Sequence, residues 1–343
     1  MAVAATPFGM ELASPPTDGI TSLSFCPSGN PSQADLLLAS SWDRGVKIYS
    51  VSSNTLRYSI DHEAPVLDAC FTSEGTEVCS AGLDKLVKRH VVSTEPKGGG
   101  ADVVGSHDAP VKCLSYVRES DLLVSGSWDK TVRAWDPRVP TGGSAGPKPV
   151  AKLPLPAKVF SLDSHGHRVV VAMAQRKVSV YDTRKLDPKH AEIERDSILK
   201  YQIRSVRCMP SGLGYACSSV EGRVSMEYFA EGEGRKSYAF KCHRVTKNAT
   251  EVVYPVNCLA FQPKFGTFAT GGCDGSVQTW DGERKKRLHK FPSYATSVAA
   301  LSFNSQGTKL AVAASYTWEQ GEKDHPLDAI FVRDVNDSEV KKG

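Results

Sequence analysis

Seven times this chain returns to one short pattern: small residues closing a strand-like run, a tight polar turn, then a second hydrophobic run. The instances are SSWDRGVKIYS (40–50), SAGLDKLVKRHV (80–91), SGSWDKTVRAWD (125–136), AMAQRKVSVYD (172–182), SSVEGRVSMEY (218–228), TGGCDGSVQTWD (270–281) and, in degenerate form, ASYTW…AIFVRDV (314–335). A period of roughly 45 residues is the length of a four-stranded propeller blade. Each blade packs only on its neighbours around a ring, so a single fold can absorb 343 residues, a length that would otherwise suggest two or three domains. The expectation is an all-β, seven-bladed β-propeller over residues 1–343, one domain.

The third repeat shows how a blade is built. Ser125, Gly126 and Ser127 end one strand. Trp128 to Thr131 make the turn, where Asp129 can accept a hydrogen bond from its own backbone two residues on. Val132, Ala134 and Asp136 then alternate with Thr131, Arg133 and Trp135, the period-two signature of a strand. An apolar strand precedes such hairpins, as in ITSLSF (20–25), VKCLSY (111–116), VNCLAF (256–261) and VAALSF (298–303), each followed by a turn-like stretch. The blade is a meander a–b–c–d, and its b–c turn and d–a connection share one end, here called the top. A segment around residues 8–12 is expected to complete the last blade and cover its edge. Four stretches depart from the repeat: a Gly/Pro-rich linker (137–156), a charged loop (231–237), a long d–a connection (243–254) and a charged insertion in blade seven (316–328). The last two lie on the top, and long loops at one end of a rigid scaffold are where binding concentrates.

Composition excludes several classes. Net charge is +4, too mild to argue for direct nucleic-acid binding. The nine cysteines are odd in number, scattered, and without a C-x-x-C pair, which points to free thiols in a reducing compartment. MAVAATPFGMEL lacks the basic start and apolar run of a signal peptide, and no run reaches the length of a membrane span. A soluble cytosolic or nuclear protein is expected. There is no H-E-x-x-H, G-x-S-x-G or G-x-x-x-x-G-K-[ST] motif, and the glycine-rich KGGGADVVG (97–105) opens no helix. No catalytic residue, metal or cofactor is expected. His62 and His107 read as blade-bridging residues, and Asp43, Asp84, Asp129 and Asp274 as turn formers.

Comparing the repeats with one another singles out residues that folding does not require. Before the inward valines of strand c (Val46, Val87, Val132, Val178, Val224, Val277) stand Gly45, Leu86, Thr131, Lys177, Arg223 and Ser276. Arg223 is the long, permanently charged outlier. Before the turn carboxylate stand Trp42, Leu83, Trp128, Val220 and Cys273. Two tryptophans on one face suggest an apolar anchor surface, the alternative being that each packs on its neighbouring blade. On the approach to strand a, Ala64-Pro65-Val66, Ala109-Pro110-Val111 and Ala157-Lys158-Val159 are set against Arg204-Ser205-Val206, so that Arg204 stands where three blades carry alanine. With KCHR (241–244) following blade five, Arg204, Arg223, Lys241 and Arg244 are expected to form one basic patch on the top of blade five. Such a patch suits carboxylate or phosphate, the alternative being a solvated set of surface ion pairs.

The repeats resemble the WD-repeat family, with WD itself at Trp135-Asp136 and Trp280-Asp281. SSWD (40–43), GLDKLVK (82–88), HDAPV (107–111), GSWDKTV (126–132), KYQIR (200–204), EGRVSMEY (221–228), YAFKCHR (238–244), YPVN (254–257), ATGGCDG (269–275) and HPLDAIFVRDV (325–335) resemble, in order and over the whole chain, the mitotic spindle-checkpoint propellers of the budding-uninhibited-by-benzimidazole group. The resemblance implies a non-catalytic, monomeric adaptor with no membrane or direct nucleic-acid contact. Its top would take the acidic GLEBS peptide of checkpoint kinases and their relatives through Trp42, Trp128 and Arg204. Phosphorylated Met-Glu-Leu-Thr repeats of a kinetochore scaffold would be read by Arg223 and Lys241, with Arg244 beside them. Ubiquitin-binding or anaphase-promoting-complex factors would be reached through the checkpoint complex. The implied location is the nucleus, with the kinetochore in mitosis and the cytoplasm as further sites. Second comes the related messenger-RNA-export propeller, which binds a GLEBS motif in a nucleoporin. A ubiquitin-ligase substrate receptor is a third reading. Residues 141–149, Met226 and Ala230 depart from the checkpoint pattern.

Overall fold

The computed structural model describes residues 7–72, 75–92, 101–139, 148–232 and 235–342. The glycines 98–100, the centre of the Gly/Pro linker and residues 233–234 of the charged loop lie outside the described residues. The rest forms seven antiparallel four-stranded sheets arranged as a seven-bladed β-propeller. Blade one runs Ile20–Phe25 (a), Leu36–Ser41 (b), Gly45–Ser50 (c) and Thr55–Asp61 (d). The a strands of blades two to seven are Val66–Phe71, Val111–Val117, Val159–His165, Ile203–Cys208, Val256–Phe261 and Val298–Phe303. Successive a strands contact one another around the axis, and the first meets the seventh.

Blade seven takes its outermost strand from the other end of the chain. Met10–Glu11 pairs with Ala329–Asp334 in the register Met10↔Val332 and Glu11↔Phe331. The Leu12 N–H donates to the Ile330 carbonyl at 2.8 Å, and Leu12 is buried. Phe8 packs on Tyr294 and Phe331, with centroids 5.2 and 6.1 Å away.

Side-chain alternation between exposed and covered positions is clearest at the rim. Thr55–Asp61 alternates between exposed and half-buried, whereas strand c of blade three, Thr131–Trp135, is buried at every position. The reason is geometric: both faces of an inner strand meet a neighbouring blade. Cys79, Ala81 and Val87 of blade two thus pack with Val111, Leu114 and Trp135 of blade three in one cluster. Each fully buried side chain of this kind contributes roughly 1.5–3 kcal/mol. A Cβ on Gly105 would collide with the Trp135 ring, so that approach requires glycine. The nine cysteines are free, and burial holds the Cys79 thiol up at about 12, leaving it unreactive.

The turn carboxylates and bridging histidines lock this arrangement. In blade three, His107 Nδ1 lies 2.9 Å from Asp129 Oδ2, His107 Nε2 lies 2.7 Å from Ser125 Oγ, and Trp135 Nε1 donates to Ser125 Oγ at 2.8 Å. Burial pushes the His107 pKa down to about 4, so the ring is neutral near pH 7. The bonds then run in one sense: Nδ1–H to Asp129, the Ser125 hydroxyl to Nε2, the indole N–H to Ser125. Burial would raise the Asp129 carboxyl, but hydrogen bonds from Thr131, the Asp108 N–H and His107 hold it below its ordinary value. His243, Asp274, Thr270 and Trp280 repeat the set in blade six, and His62, Ser80, Asp84 and His90 build a variant in blade two. The histidines are structural bridges, as expected for His62 and His107; His243 shares that role.

Candidate binding site on the top face

The top surface is built by a defect that every blade repeats. In all seven blades the a–b ladder slips after the first residue of strand a. The slipped residues are Thr21, Leu67, Lys112, Phe160, Arg204, Asn257 and Ala299, and all seven line one open cavity of about 690 Å³ at the mouth of the central channel. A bulge leaves its extra residue outside the ladder and re-aims the side chain. Seven in a ring therefore create a lined cavity, whose chemistry is free to vary because the ladder does not use these side chains. Here that chemistry is apolar with two cations, Lys112 and Arg204.

Three tryptophans wall the same cavity: Trp42, Trp128 and Trp318. Trp42 is 44 % exposed, and its N–H is tied to the Gly19 carbonyl at 2.9 Å. Trp128 is half-buried, and its Nε1 lies occluded without a hydrogen-bond partner. Trp318 is 60 % exposed on the blade-seven insertion. That insertion is held at the rim by Glu319, which accepts from Ser297 Oγ at 2.7 Å and Thr317 Oγ1 at 2.9 Å. Tyr316 supports it, with its hydroxyl donating to the Gly321 carbonyl at 2.9 Å and its ring beside those of Trp318 and His325. Arg204 Nη2 donates to Asn257 Oδ1 at 2.8 Å, which aims the guanidinium within the ring of bulges. Large exposed aromatics beside fixed cations suit an acidic peptide with apolar anchors.

Blade five presents a second feature. Arg223 opens strand c and Lys241 closes strand d, and the two are directly paired across the ladder. The corresponding pair in blade four is Lys177 and Asp196, 3.6 Å apart as an ion pair. Like charges directly opposite on one sheet face are unfavourable, so blade five carries a cost that its neighbour avoids. Arg223 reaches Glu221 at 3.5 Å, yet its Nε is occluded with no hydrogen bond; Lys241 lies 3.7 Å from Glu251 and is 56 % exposed. Arg244 is committed to the scaffold, donating to Glu251 Oε2 at 2.6 Å, the Glu221 carbonyl at 2.7 Å and the Gly222 carbonyl at 3.3 Å. It begins a hairpin, Arg244–Lys247 with Thr250–Val253, turned at Asn248 and Ala249 with positive φ. The long d–a connection is thus a hairpin pinned to the blade-five turn.

Two expectations need correction. Arg204 does not stand at an alanine position. The N–H groups of Trp42, Leu83, Trp128 and Val220 donate to the carbonyls of Gly19, Pro65, Pro110 and Gln202, so Ile203, not Val206, matches Val66 and Val111. Arg204 is the counterpart of Leu67 and Lys112 in the bulge ring. Nor do the four cations share one patch. Arg204 lines the central cavity, while Arg223, Lys241 and Arg244 gather around Glu221 and Glu251. Trp318 was not singled out, although a tryptophan in an insertion that the other repeats lack is a readable sign.

A family pattern described as WD domain, G-beta repeat, matches residues 10–50, 102–136 and 237–281. The mitotic checkpoint protein BUB3.1 of Arabidopsis thaliana is 49% identical over 337 residues, covering 97% of this chain and 94% of that protein. The mitotic checkpoint protein bub3 of Dictyostelium discoideum is 41% identical, covering 97% and 96%. The mRNA export factor GLE2 of Chaetomium thermophilum is 36% identical, covering 91% and 85%. Among solved structures, that of U3-55K superposes with a TM-score of 0.76 at 17% identity, over 94% of this chain and 97% of that one, a likeness of fold alone. With near-complete coverage and identity approaching one half, the chain belongs to the BUB3 family of WD-repeat propellers.

Proposed function

We propose that this chain is a non-catalytic adaptor of the spindle assembly checkpoint, acting in the nucleus and at the kinetochore in mitosis, that holds two peptides on its top face. The cavity walled by Trp42, Trp128 and Trp318 takes an acidic GLEBS segment of a checkpoint kinase, with Arg204 and Lys112 meeting its carboxylates. Arg223 and Lys241 take the phosphothreonine of a Met-Glu-Leu-Thr repeat, and Arg244 holds the hairpin that frames them. The observation that carries this reading is the Arg223–Lys241 pairing: two cations set opposite each other are stabilised when a dianion bridges them, and a phosphate brings nearly two negative charges near pH 7.

A second reading, messenger-RNA export through a nucleoporin GLEBS motif, is favoured by the 36% identity to the export factor. Both readings use the central cavity, so a GLEBS peptide does not separate them. Calorimetry with phosphorylated and unphosphorylated Met-Glu-Leu-Thr peptides does. The checkpoint reading requires binding that depends on the phosphate. Equal affinity for the two peptides, or none for either, would leave the export reading standing.

A further inference from the structure

The opposite face carries a second groove, between blades five and six, of about 650 Å³. Its walls are a–b and c–d loops, which the antiparallel order of each blade places at the end away from the tryptophan cavity. Met209, Met226, Phe261 and Pro263 supply apolar lining, and Leu213, 40 % exposed, stands at its edge. Met226 is one of the two blade-five residues that depart from the checkpoint pattern. Among the described residues five cations line the groove, Arg235, Lys236, Lys264, Lys285 and Lys342, against one carboxylate, Glu283. Of these five, only Lys342 has an ion-pair partner among the described residues, Glu283 at 2.7 Å.

We propose that this groove binds an acidic peptide segment that inserts one apolar side chain between blades five and six. The charge imbalance selects a polyanionic ligand. The methionine lining selects its apolar residue, since unbranched thioether side chains adapt to the shape placed against them. Four of the cations are lysines, whose stems cover apolar surface while their heads stay in water as point charges, a match for scattered carboxylates. Nucleic acid fits less well. Lys285 Nζ sits 4.2 Å over the Tyr238 ring and Lys264 Nζ 4.9 Å over the Phe265 ring, and the Tyr238 hydroxyl donates to the Gly282 carbonyl. The faces on which bases would stack are already occupied.

The test uses the full chain and a fluorescein-labelled peptide in which one Phe is flanked by runs of Asp and Glu. Anisotropy should show binding that weakens about tenfold for Lys264→Glu/Lys285→Glu and for Leu213→Ser, and likewise when the peptide's Phe becomes Ser. The loss caused by Lys264→Glu/Lys285→Glu should be the same fold in a Trp128→Ala background, which separates this groove from the top face. Carbodiimide coupling of the peptide to the unaltered chain should concentrate at Lys264, Lys285 and Lys236, a readout that stands even where a variant folds poorly. Coupling spread over the surface, equal affinity for the Phe and Ser peptides, or an RNA oligonucleotide or anionic vesicle binding more tightly than the peptide would each overturn the proposal.

Discussion

Arg223 and Lys241 face each other across a ladder where blade four has a salt bridge, so losing one of them should affect binding and stability in opposite directions. Arg223→Ala is expected to weaken phosphopeptide binding by about 1.5–3 kcal/mol, the scale of a charge-assisted contact, while the melting temperature stays level or rises as the like-charge repulsion is relieved. Calorimetry and a thermal melt on the same sample check both halves, and unchanged affinity would remove Arg223 from the site. Trp42→Ala and Trp128→Ala should each reduce GLEBS-peptide binding by about 2 kcal/mol or more, as hot-spot tryptophans do. Their melts should differ: Trp42 is exposed and its loss should be nearly silent, whereas half-buried Trp128 should cost some stability. A large drop for Trp42 would mean that its ring serves the fold. The sequence comparison singles out Trp42, Trp128 and Arg223 because each sits at a strand end or turn whose register the repeat makes plain. It misplaced Arg204 because blade five has Gln202-Ile203 where other blades have Pro-Val, and the nearest valine, Val206, drew the alignment three residues along.

The element that makes the site is the bulge at the start of strand a, and nothing in a period-two pattern announces it. Val-Lys-Cys-Leu and Val-Asn-Cys-Leu read as uninterrupted alternation, yet Lys112 and Asn257 stand outside the ladder and face the cavity. The hairpin at 244–253 was visible only as extra length, because Asn248-Ala249 is not a glycine-bearing hairpin turn. Blade number, strand order and the turn carboxylates were legible because they recur. The relay Trp135–Ser125–His107–Asp129 belongs to this scale and to the scaffold. Ser125→Ala would strand the buried Trp135 indole N–H and is expected to cost about 1–3 kcal/mol. A lowered melting temperature with intact peptide affinity is the expected pair of results, and lost affinity in a folded variant would argue that the relay positions the top face.

For the whole molecule, two titrations follow from charge. Burial holds both His90 and His107 down at about 4, against an ordinary value of 6.5, so the unfolded chain binds protons that the folded one refuses. Their contribution, about 3 kcal/mol each, is present above pH 6.5 and is lost as pH falls through about 4. A melting temperature flat from pH 7 to 8 and dropping steadily below 6.5 is expected; a melt insensitive to pH across that window would show that these rings titrate freely. The two peptides should also separate by salt. Phosphopeptide affinity should fall as screening shortens to about 3 Å at 1 M salt, and again as pH drops below the phosphate's second pKa of about 6. The GLEBS peptide, held more by tryptophan burial, should respond less, and parallel salt slopes would count against two chemistries on one face. The closure of the ring carries a different consequence, one of timing. On the ribosome, Met10–Glu11 emerges ahead of every other strand of the propeller and its partner, Ala329–Asp334, after them. Until that last strand emerges the nascent ring is an open arc with two bare edges. The step that seals it joins strands from opposite ends of the propeller, a contact of the kind that forms slowly, which makes the unsealed arc the species a chaperone would have to guard.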